Sequence, residues 1–305
     1  MNGPEIVDQA TTAARLPFPA LIAALRAAFV AGAEVPLRHR HMLAAANGTL
    51  LLMPAWAGAS ALGVKIVTVW PENGRLGLNA VSSTYLLCEG ATGRHLAIID
   101  GNELTARRTA AASALAGDYL ARPDASHLLV VGAGHVASML APAWAAVRPI
   151  RQVTVWNRSA AGAERLAAAL RDQGFAAQAT VDLPAAVAAA DIVSCATLAT
   201  EPVIAGAWLA PGTHLDLIGA YRPDMREADT AAVQRARVFI DTDAALAEAG
   251  DLTQAGTVAV QGSLFDLCRG VRPGRQSTGE ITLFKSVGSA IEDLAAAGVV
   301  YQPPR

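Results

Sequence analysis

Lysine is rare in this sequence and marks two positions for chemistry. Of the 24 lysines and arginines among 305 residues, only Lys65 and Lys285 are lysines. Arginine can replace lysine wherever a soluble cation is enough, but its guanidinium stays charged at all ordinary pH values, whereas a lysine amine can give up a proton. Both lysines are therefore candidate functional residues.

Several cations in the first third of the chain are predicted to point inward. Lys65 lies in a predicted strand whose two faces are both apolar, so a buried amine there needs an anionic partner or a lowered pKa. Arg108 lies in an apolar stripe of a predicted helix, and Arg38 and Arg40 share one face of another strand. Inward cations favour an anionic ligand, most simply a carboxylate.

Internal ion pairs are the alternative use of these cations, with Glu72, Glu89 or Asp100 as partners. His39 and His41 also share a strand face. No third ligand has a matching spacing, and we therefore expect no metal site.

A glycine-rich turn follows the apolar run at 127–131. It has the pattern G-x-G-x-x-A and consists of Gly132, Ala133, Gly134, His135, Val136 and Ala137. Between a strand and a helix, this pattern is typical of a turn that holds a pyrophosphate: the first glycine permits the turn, and the second lets the backbone approach the anion. The helix N-terminus offers unpaired N–H groups to the anion. A glycine-rich turn without a nucleotide is the alternative.

The end of the next strand favours one dinucleotide over another. Enzymes that use NAD usually carry an acidic residue there to bind the ribose hydroxyl. This chain has Asn157, Arg158 and Ser159 instead, and an arginine can pair with a 2′-phosphate. We therefore expect NADP(H), with NAD(H) as the second possibility. Alternatively, Arg158 is a solvated residue at the start of a helix.

The pattern of elements changes near residue 124. Before it, an α+β pattern predicts two hairpins and two helices, at Pro17–Ala31 and Glu103–Ala121. The turns of the two hairpins contain Asn47-Gly48 and residues 90–93. After it, strand and helix alternate, which predicts a parallel sheet. The predicted strands are 127–131, 152–157, 176–181, 191–197, 213–219 and 237–241, with helices at 160–172 and 184–190 and a final amphipathic helix at Ser286–Gly298.

Composition excludes several classes of protein. The chain is 53% hydrophobic and 16% charged with a net charge of −2, which excludes disorder and offers no basic surface for nucleic acid. Three separated cysteines indicate no disulfide framework. The N-terminus lacks a signal-peptide pattern, and the uncharged stretch Leu128–Val147 contains glycine and proline, so we interpret it as strand, turn and helix. We expect a cytoplasmic protein without membrane contact.

Several motifs together resemble the ornithine cyclodeaminase/mu-crystallin family over residues 16 to 300. They are Gly63–Lys65, Leu104–Ala110, Gly132–Gly134, Gly212–His214, Arg222–Glu227 and Phe284–Gly288. The resemblance implies an α/β protein in which a Rossmann-type dinucleotide domain, residues 123–285, is inserted in an α+β domain. Residues 1–122 and 286–305 form that second domain, which binds substrate and forms a homodimer.

The family acts on amino acids and cyclic imino acids with NAD(P). Its positions that bind the substrate carboxylate fall on Arg38, Lys65 and Arg108, with Arg38 preferred to Arg40 by register. Lys285, Ser286 and Gly288 are expected to shape the nicotinamide pocket.

This sequence departs from the cyclodeaminases of the family at three positions. Their catalytic aspartate aligns with Tyr221, and Asp216 or Asp224 could replace it only in a different register. A threonine of theirs aligns with Ala80, and the acidic residue that selects NAD is replaced at Asn157-Arg158.

The leading hypothesis is NADPH-dependent reduction of a cyclic imino acid, Δ1-pyrroline-2-carboxylate or Δ1-piperideine-2-carboxylate. Lys65 is the first candidate proton donor to the imine nitrogen and Tyr221 the second. Ornithine cyclodeamination to proline and ammonia is one alternative, and a non-enzymatic binder of NADPH and a small ligand is the other.

Overall fold

The computed structural model describes residues 3–302 and divides into two units. Unit 1 comprises Met1–Arg108 and Ser289–Arg305, and unit 2 comprises Thr109–Gly288. The division therefore falls inside a helix, earlier than the predicted border at 122/123.

Unit 1 is built on a six-stranded sheet with the order β1-β6-β5-β4-β3-β2. All neighbours pair antiparallel except β1 and β6. Its strands are β1 (Glu5–Val7), β2 (His39–Leu43), β3 (Gly48–Ala57), β4 (Ala61–Val69), β5 (Val81–Glu89) and β6 (His95–Asp100). Its helices are α1 (Gln9–Arg15), α2 (Phe18–Ala31), the first part of α3 (Gly101–Leu120) and α11 (Ala290–Val300).

Local signals explain where several of these elements begin and end. Asn47 adopts the left-handed conformation, with φ 46° and ψ 37°, and the predicted hairpin forms there. The Asp100 carboxylate accepts the Glu103 backbone N–H at 2.8 Å, satisfying one of the free donors in the first turn of α3.

Only one face of β4 is buried, and this corrects the prediction of two buried faces. Lys65 and Val67 face the helices and are buried, whereas Ile66 on the opposite face is 40% exposed. The helix α11 packs on β3, β4 and β5, and it covers the face that carries Lys65.

Unit 2 has an eight-stranded parallel sheet of order β13-β12-β14-β11-β10-β7-β8-β9. The strands are β7 (His127–Val131), β8 (Gln152–Trp156), β9 (Ala177–Thr180), β10 (Ile192–Cys195), β11 (His214–Leu217), β12 (Arg237–Ile240), β13 (Val260–Ser263) and β14 (Thr282–Lys285). The helices are α4 (His135–Ala145), α5 (Ala160–Asp172), α6 (Leu183–Ala189), α7 (Thr230–Arg235), α8 (Ala245–Glu248), α9 (Gly250–Thr253) and α10 (Leu264–Cys268). The sheet confirms the predicted Rossmann-type fold, in which strand order reverses between β7 and β10.

The final helix was predicted to be amphipathic and to span Ser286–Gly298. Its predicted start is wrong, and so is its predicted amphipathic character. The helix α11 begins at Ala290, because Gly288 adopts a φ of 76° and the preceding residues bond to a buried carboxylate. Most of α11 is buried, including two acidic side chains.

The uncharged stretch Leu128–Val147 forms the predicted strand, turn and helix. Across residues 3–302, no single helix has the length and hydropathy needed to cross a bilayer. The helices α1 and α2 meet those criteria only as a pair, across a bend of 76°.

Candidate functional site

Lys65 and Arg108, two of the predicted carboxylate ligands, meet at one buried carboxylate in unit 1. Asp293 on α11 accepts from Lys65 Nζ at 3.0 Å and from Arg108 Nε at 2.9 Å through the same oxygen, Oδ1. Its other oxygen lies 2.8 Å from Lys65 Nζ. Arg108 Nη1 also donates to Glu292 at 2.7 Å. We call Lys65, Arg108, Glu292 and Asp293 the buried charge cluster.

Lys65 and Arg108 therefore form internal ion pairs, the alternative use of these cations, but with other acids than those predicted. Asp293 and Glu292 are the partners, and neither was among the three predicted alternatives. In the structure Glu72 pairs with Arg75, Glu89 pairs with Arg94, and Asp100 caps α3.

The surroundings of Lys65 change its acidity. Burial and, next, the positive charge of Arg108 lower the pKa of Lys65 to about 8, while Asp293 acts in the opposite direction. Burial alone would raise the pKa of Asp293, but the charges of Lys65 and Arg108 lower it below its ordinary value. The cluster therefore holds an amine that can exchange a proton near neutral pH beside an ionised carboxylate.

Tyr85 lies next to Lys65 across the β4–β5 ladder and was missed by sequence reasoning. It is fully buried, and its hydroxyl has no hydrogen-bond partner within residues 3–302. A Cβ atom at Gly63 would lie 2.0 Å from that hydroxyl, so only glycine fits beneath the ring. Burial, and then the negative charge of Asp293, raise the pKa of Tyr85 well above its ordinary value, so the phenol stays protonated.

Arg38 lies in the segment before β2, half-buried, and not within the strand predicted for it. Arg40 lies on β2 and is exposed. Their role at a carboxylate stays a prediction. Among residues 3–302, no group of three or more histidine, cysteine or acidic side chains could hold a metal ion.

In unit 2, the glycine-rich turn connects β7 to α4 as predicted. Gly132 has a φ of 116°, and a Cβ atom there would lie 2.6 Å from the Ala196 carbonyl oxygen, so the turn requires glycine. At Gly134 a Cβ atom would meet no atom within 4 Å, which leaves the start of α4 open to a ligand. No side chain caps α4 at Gly134. Ala133, His135 and Val136 complete this half-exposed turn.

The segment after β8 lies at the same edge of the sheet. Trp156 pairs with Val131 in the parallel ladder, and its carbonyl oxygen accepts the Gly132 N–H at 2.8 Å. Asn157 donates its amide to the Ser159 carbonyl, and the Ser159 hydroxyl caps α5 by accepting the Gly162 N–H. Arg158 is exposed.

Ser286 and Gly288, predicted to bind a cofactor, are hydrogen-bonded to a buried acid. The Asp241 carboxylate accepts the Ser286 hydroxyl at 2.9 Å and the N–H groups of Val287 and Gly288 at 2.8 and 2.7 Å. These donors hold the segment in place, and their contact with a cofactor stays a prediction.

Three residues near the position of the missing cyclodeaminase aspartate have different surroundings. Tyr221 is half-buried beside the core of unit 2, and Asp224 is exposed and paired with Arg222. Asp216 is fully buried and accepts the hydroxyls of Ser113 and Ser194. Burial raises the pKa of Asp216 to about 6.

These observations define a two-unit α/β protein whose parallel sheet carries an open, glycine-rich turn at the carboxyl end of β7. The ornithine cyclodeaminase/mu-crystallin family model matches residues 6–304, and the chain belongs to that family.

The chain is similar to a Delta(1)-pyrroline-2-carboxylate reductase of Paracoccus denitrificans, with 44% identity over 83% of each chain. Among solved structures, it is similar to the Thermococcus litoralis Delta(1)-pyrroline-2-carboxylate reductase in complex with NADH and L-proline. That TM-score is 0.93 at 33% identity, covering 97% of this chain and 96% of that one. An archaeal alanine dehydrogenase dimer with bound NAD gives a TM-score of 0.91 at 28% identity, covering 98% and 95%.

Proposed function

We propose that the protein is an NADPH-dependent reductase of a cyclic imino acid, converting Δ1-pyrroline-2-carboxylate to L-proline or Δ1-piperideine-2-carboxylate to L-pipecolate. The observation that carries the proposal is Lys65, a buried amine whose pKa is lowered to about 8 beside Arg108. The similarity to reductases of Δ1-pyrroline-2-carboxylate supports the same substrate class.

The reaction needs a hydride at the imine carbon and a proton at the imine nitrogen. The reduced nicotinamide supplies the hydride, and Lys65 supplies the proton, with Tyr221 as the second candidate. Arg108 donates from Nε to Asp293 and from Nη1 to Glu292. We assign the Arg108 guanidinium to the substrate carboxylate, together with Lys65 and Arg38.

The dinucleotide is held in unit 2. The open N-terminus of α4 at Gly134 receives the pyrophosphate. Asn157, Arg158 and Ser159 surround the adenosine ribose, and the exposed guanidinium of Arg158 favours NADPH over NADH by pairing with the 2′-phosphate.

A homodimer is part of the proposal. The face of the unit 1 sheet opposite Lys65 carries Leu50, Leu52, Val64 and Ile66, none of them fully buried. A continuous, partly exposed apolar sheet face is typical of a protein–protein interface. The similar archaeal alanine dehydrogenase is a dimer.

The test is a pair of assays on the purified protein. In the first, NADPH is mixed with each cyclic imino acid, and its absorbance and the formation of proline or pipecolate are followed. In the second, NAD is mixed with L-ornithine. Consumption of NADPH with imine supports the proposal. Proline from ornithine alone contradicts it, and dinucleotide binding without turnover in either assay indicates a binding protein.

A further inference from the structure

Lys285, the second of the two lysines, is fully buried between two carboxylates of unit 2. Its Nζ lies 2.9 Å from Asp251 Oδ2 and 3.9 Å from Glu227 Oε2, and all three side chains are 0% exposed. Charges buried in this way need a partner of opposite sign, and the amine and the two carboxylates supply one another's. We call Glu227, Asp251 and Lys285 the buried triad.

Glu227 connects the segments that follow two neighbouring strands. Its Oε1 accepts the backbone N–H and the hydroxyl of Thr197, both at 2.8 Å, just after β10. Its Oε2 accepts the N–H groups of Gly219 and Ala220, at 2.8 and 3.2 Å, just after β11. One carboxylate therefore fixes four donors at the carboxyl end of the sheet.

The rest of the triad fixes Glu227 itself. Asp251 Oδ1 accepts the backbone N–H of Glu227 at 2.7 Å and that of Ala228 at 2.9 Å. Lys285 supplies the positive charge that both carboxylates need in a dry interior. Its slender amine can do this between two acids where the planar guanidinium of arginine requires more room.

The position of these loops relates them to the dinucleotide. In an open parallel sheet, ligands bind at the carboxyl ends of the strands, where the strand order reverses. Here that point lies between β7 and β10, with the pyrophosphate turn and Arg158 on the side of β7 and β8. The other half of a dinucleotide must then lie along the ends of β10 and β11, at Thr197 and Gly219.

We propose that Glu227 is a positioning residue for the nicotinamide half of the cofactor, with Asp251 holding its backbone and Lys285 balancing the charge of its carboxylate. The inference rests on the proposed function for the identity of the cofactor. It assigns to Lys285 the role of a structural charge, in contrast to the proton-donating amine of Lys65.

The experiment compares the wild type with Glu227→Gln and with the milder Thr197→Val, which removes one donor to Glu227. The control is Glu164→Gln, an exposed carboxylate on α5. The affinity for 2′-phospho-ADP-ribose, which lacks the nicotinamide, is measured beside the fluorescence of bound NADPH, which reports the surroundings of the reduced ring. Single-turnover hydride transfer and the KM for the imine complete the set.

We expect Glu227→Gln to keep its affinity for 2′-phospho-ADP-ribose and its KM for the imine. Its bound NADPH should fluoresce like free NADPH, and hydride transfer should slow about 10- to 100-fold, because a small misplacement of a reacting group costs that much. Thr197→Val should shift both readouts in the same direction by less, and Glu164→Gln should shift neither.

Unchanged NADPH fluorescence and an unchanged rate of hydride transfer in Glu227→Gln contradict the inference. An equal loss of affinity for NADPH and for 2′-phospho-ADP-ribose also contradicts it. If Glu227→Gln does not fold, Thr197→Val decides by the same two readouts. A wild type that binds NADPH and shows the fluorescence difference, yet reduces no imine, contradicts the proposed function alone. A wild type that binds no nicotinamide dinucleotide contradicts both.

Discussion

Lys65 and Asp293 form a buried ion pair at 2.8 Å although 228 residues separate them in the chain. The pair joins β4 to α11, and Arg108 shares the same carboxylate. Burial disfavours the charged amine and the carboxylate favours it, so the position of the proton on Lys65 depends on the balance of these two effects.

Replacing Lys65 by Met should abolish turnover while leaving the affinity for NADPH unchanged, since the glycine-rich turn lies in unit 2. Loss of a proton donor lowers the rate by about 100-fold or more. Steady-state kinetics and dinucleotide titration measure the two effects. Arg94→Gln, an exposed cation of unit 1, is the matched control. Turnover that survives in Lys65→Met would remove this amine from the mechanism.

The pH dependence of the reaction should follow the protonation of Lys65. With its pKa lowered to about 8, the amine carries its proton below pH 8 and loses it above. Imine reduction should therefore fall as the pH rises through about 8. The check is kcat/KM for the imine between pH 6 and 10, corrected for the titration of the imine itself. A rate that stays level up to pH 9.5 is incompatible with this donor.

Asp293→Asn should destabilise unit 1 and make Lys65 more acidic. Removing one partner of a buried ion pair costs about 3–5 kcal/mol, because the remaining charge is left uncompensated. Since Asp293 raises the pKa of Lys65, its loss should also move the alkaline decline in activity to lower pH.

Thermal unfolding and the pH–rate profile measure these two consequences of Asp293→Asn. Glu5→Gln, which breaks a partly exposed pair with Arg15, serves as the control and should cost less than about 1 kcal/mol. Equal effects of the two substitutions would show that burial of the Asp293 pair is unimportant.

Arg158→Ala should reduce the preference for NADPH. A charge-assisted hydrogen bond to a phosphate contributes about 1.5–3 kcal/mol, so the affinity for NADPH should fall roughly 10- to 100-fold while that for NADH stays constant. The measurement is the ratio of the two dissociation constants. Arg151→Ala, also exposed in unit 2, is the control. A ratio that does not change assigns the 2′-phosphate to another residue.

Asp216→Asn should remove a pH-dependent part of the stability of unit 2. Burial raises the pKa of Asp216 from 3.8 to about 6, so the folded state holds a proton that the unfolded chain releases. In the wild type, this group's contribution to stability is therefore fully present below pH 3.8 and is lost as the pH rises to about 6, a change of roughly 3 kcal/mol.

The amide of Asp216→Asn can accept from Ser113 and Ser194 without titrating. Calorimetry of both proteins between pH 4.5 and 7.5 should then show the wild type losing stability relative to the variant as the pH rises. Parallel curves for the two proteins would mean that Asp216 does not change its charge in this range.

Local signals were enough to predict much of the fold. The Asn47-Gly48 hairpin and the strand, turn and helix around Gly132 depend on backbone conformations that few residues adopt. The alternation after residue 124 predicted the parallel sheet because each strand needs a crossover helix. These features are encoded within short segments and are confirmed by the structure.

The partners of the cations depend on long-range packing and could not be read from spacing. Glu292 and Asp293 lie in the helix predicted to be amphipathic, yet α11 is mostly buried and presents both acids to Lys65 and Arg108. An acidic pair within an otherwise apolar stretch was the signal for a buried partner. Residues 286–289 were wrongly predicted as helix, also because of long-range packing. The sequence around them does not reveal that Ser286, Val287 and Gly288 donate hydrogen bonds to Asp241.

The return of α11 to unit 1 has a consequence for the order of events during protein synthesis. Arg108 leaves the ribosome more than 180 residues before the acids that neutralise it, whereas unit 2 is contiguous in sequence and can fold as soon as it emerges. Until residues 289–300 appear, the six strands of unit 1 expose the face that α11 will cover, and Lys65 and Arg108 lack the carboxylates of Asp293 and Glu292. We therefore expect a nascent chain stalled near residue 288 to be a client of chaperones, although its second half is already native.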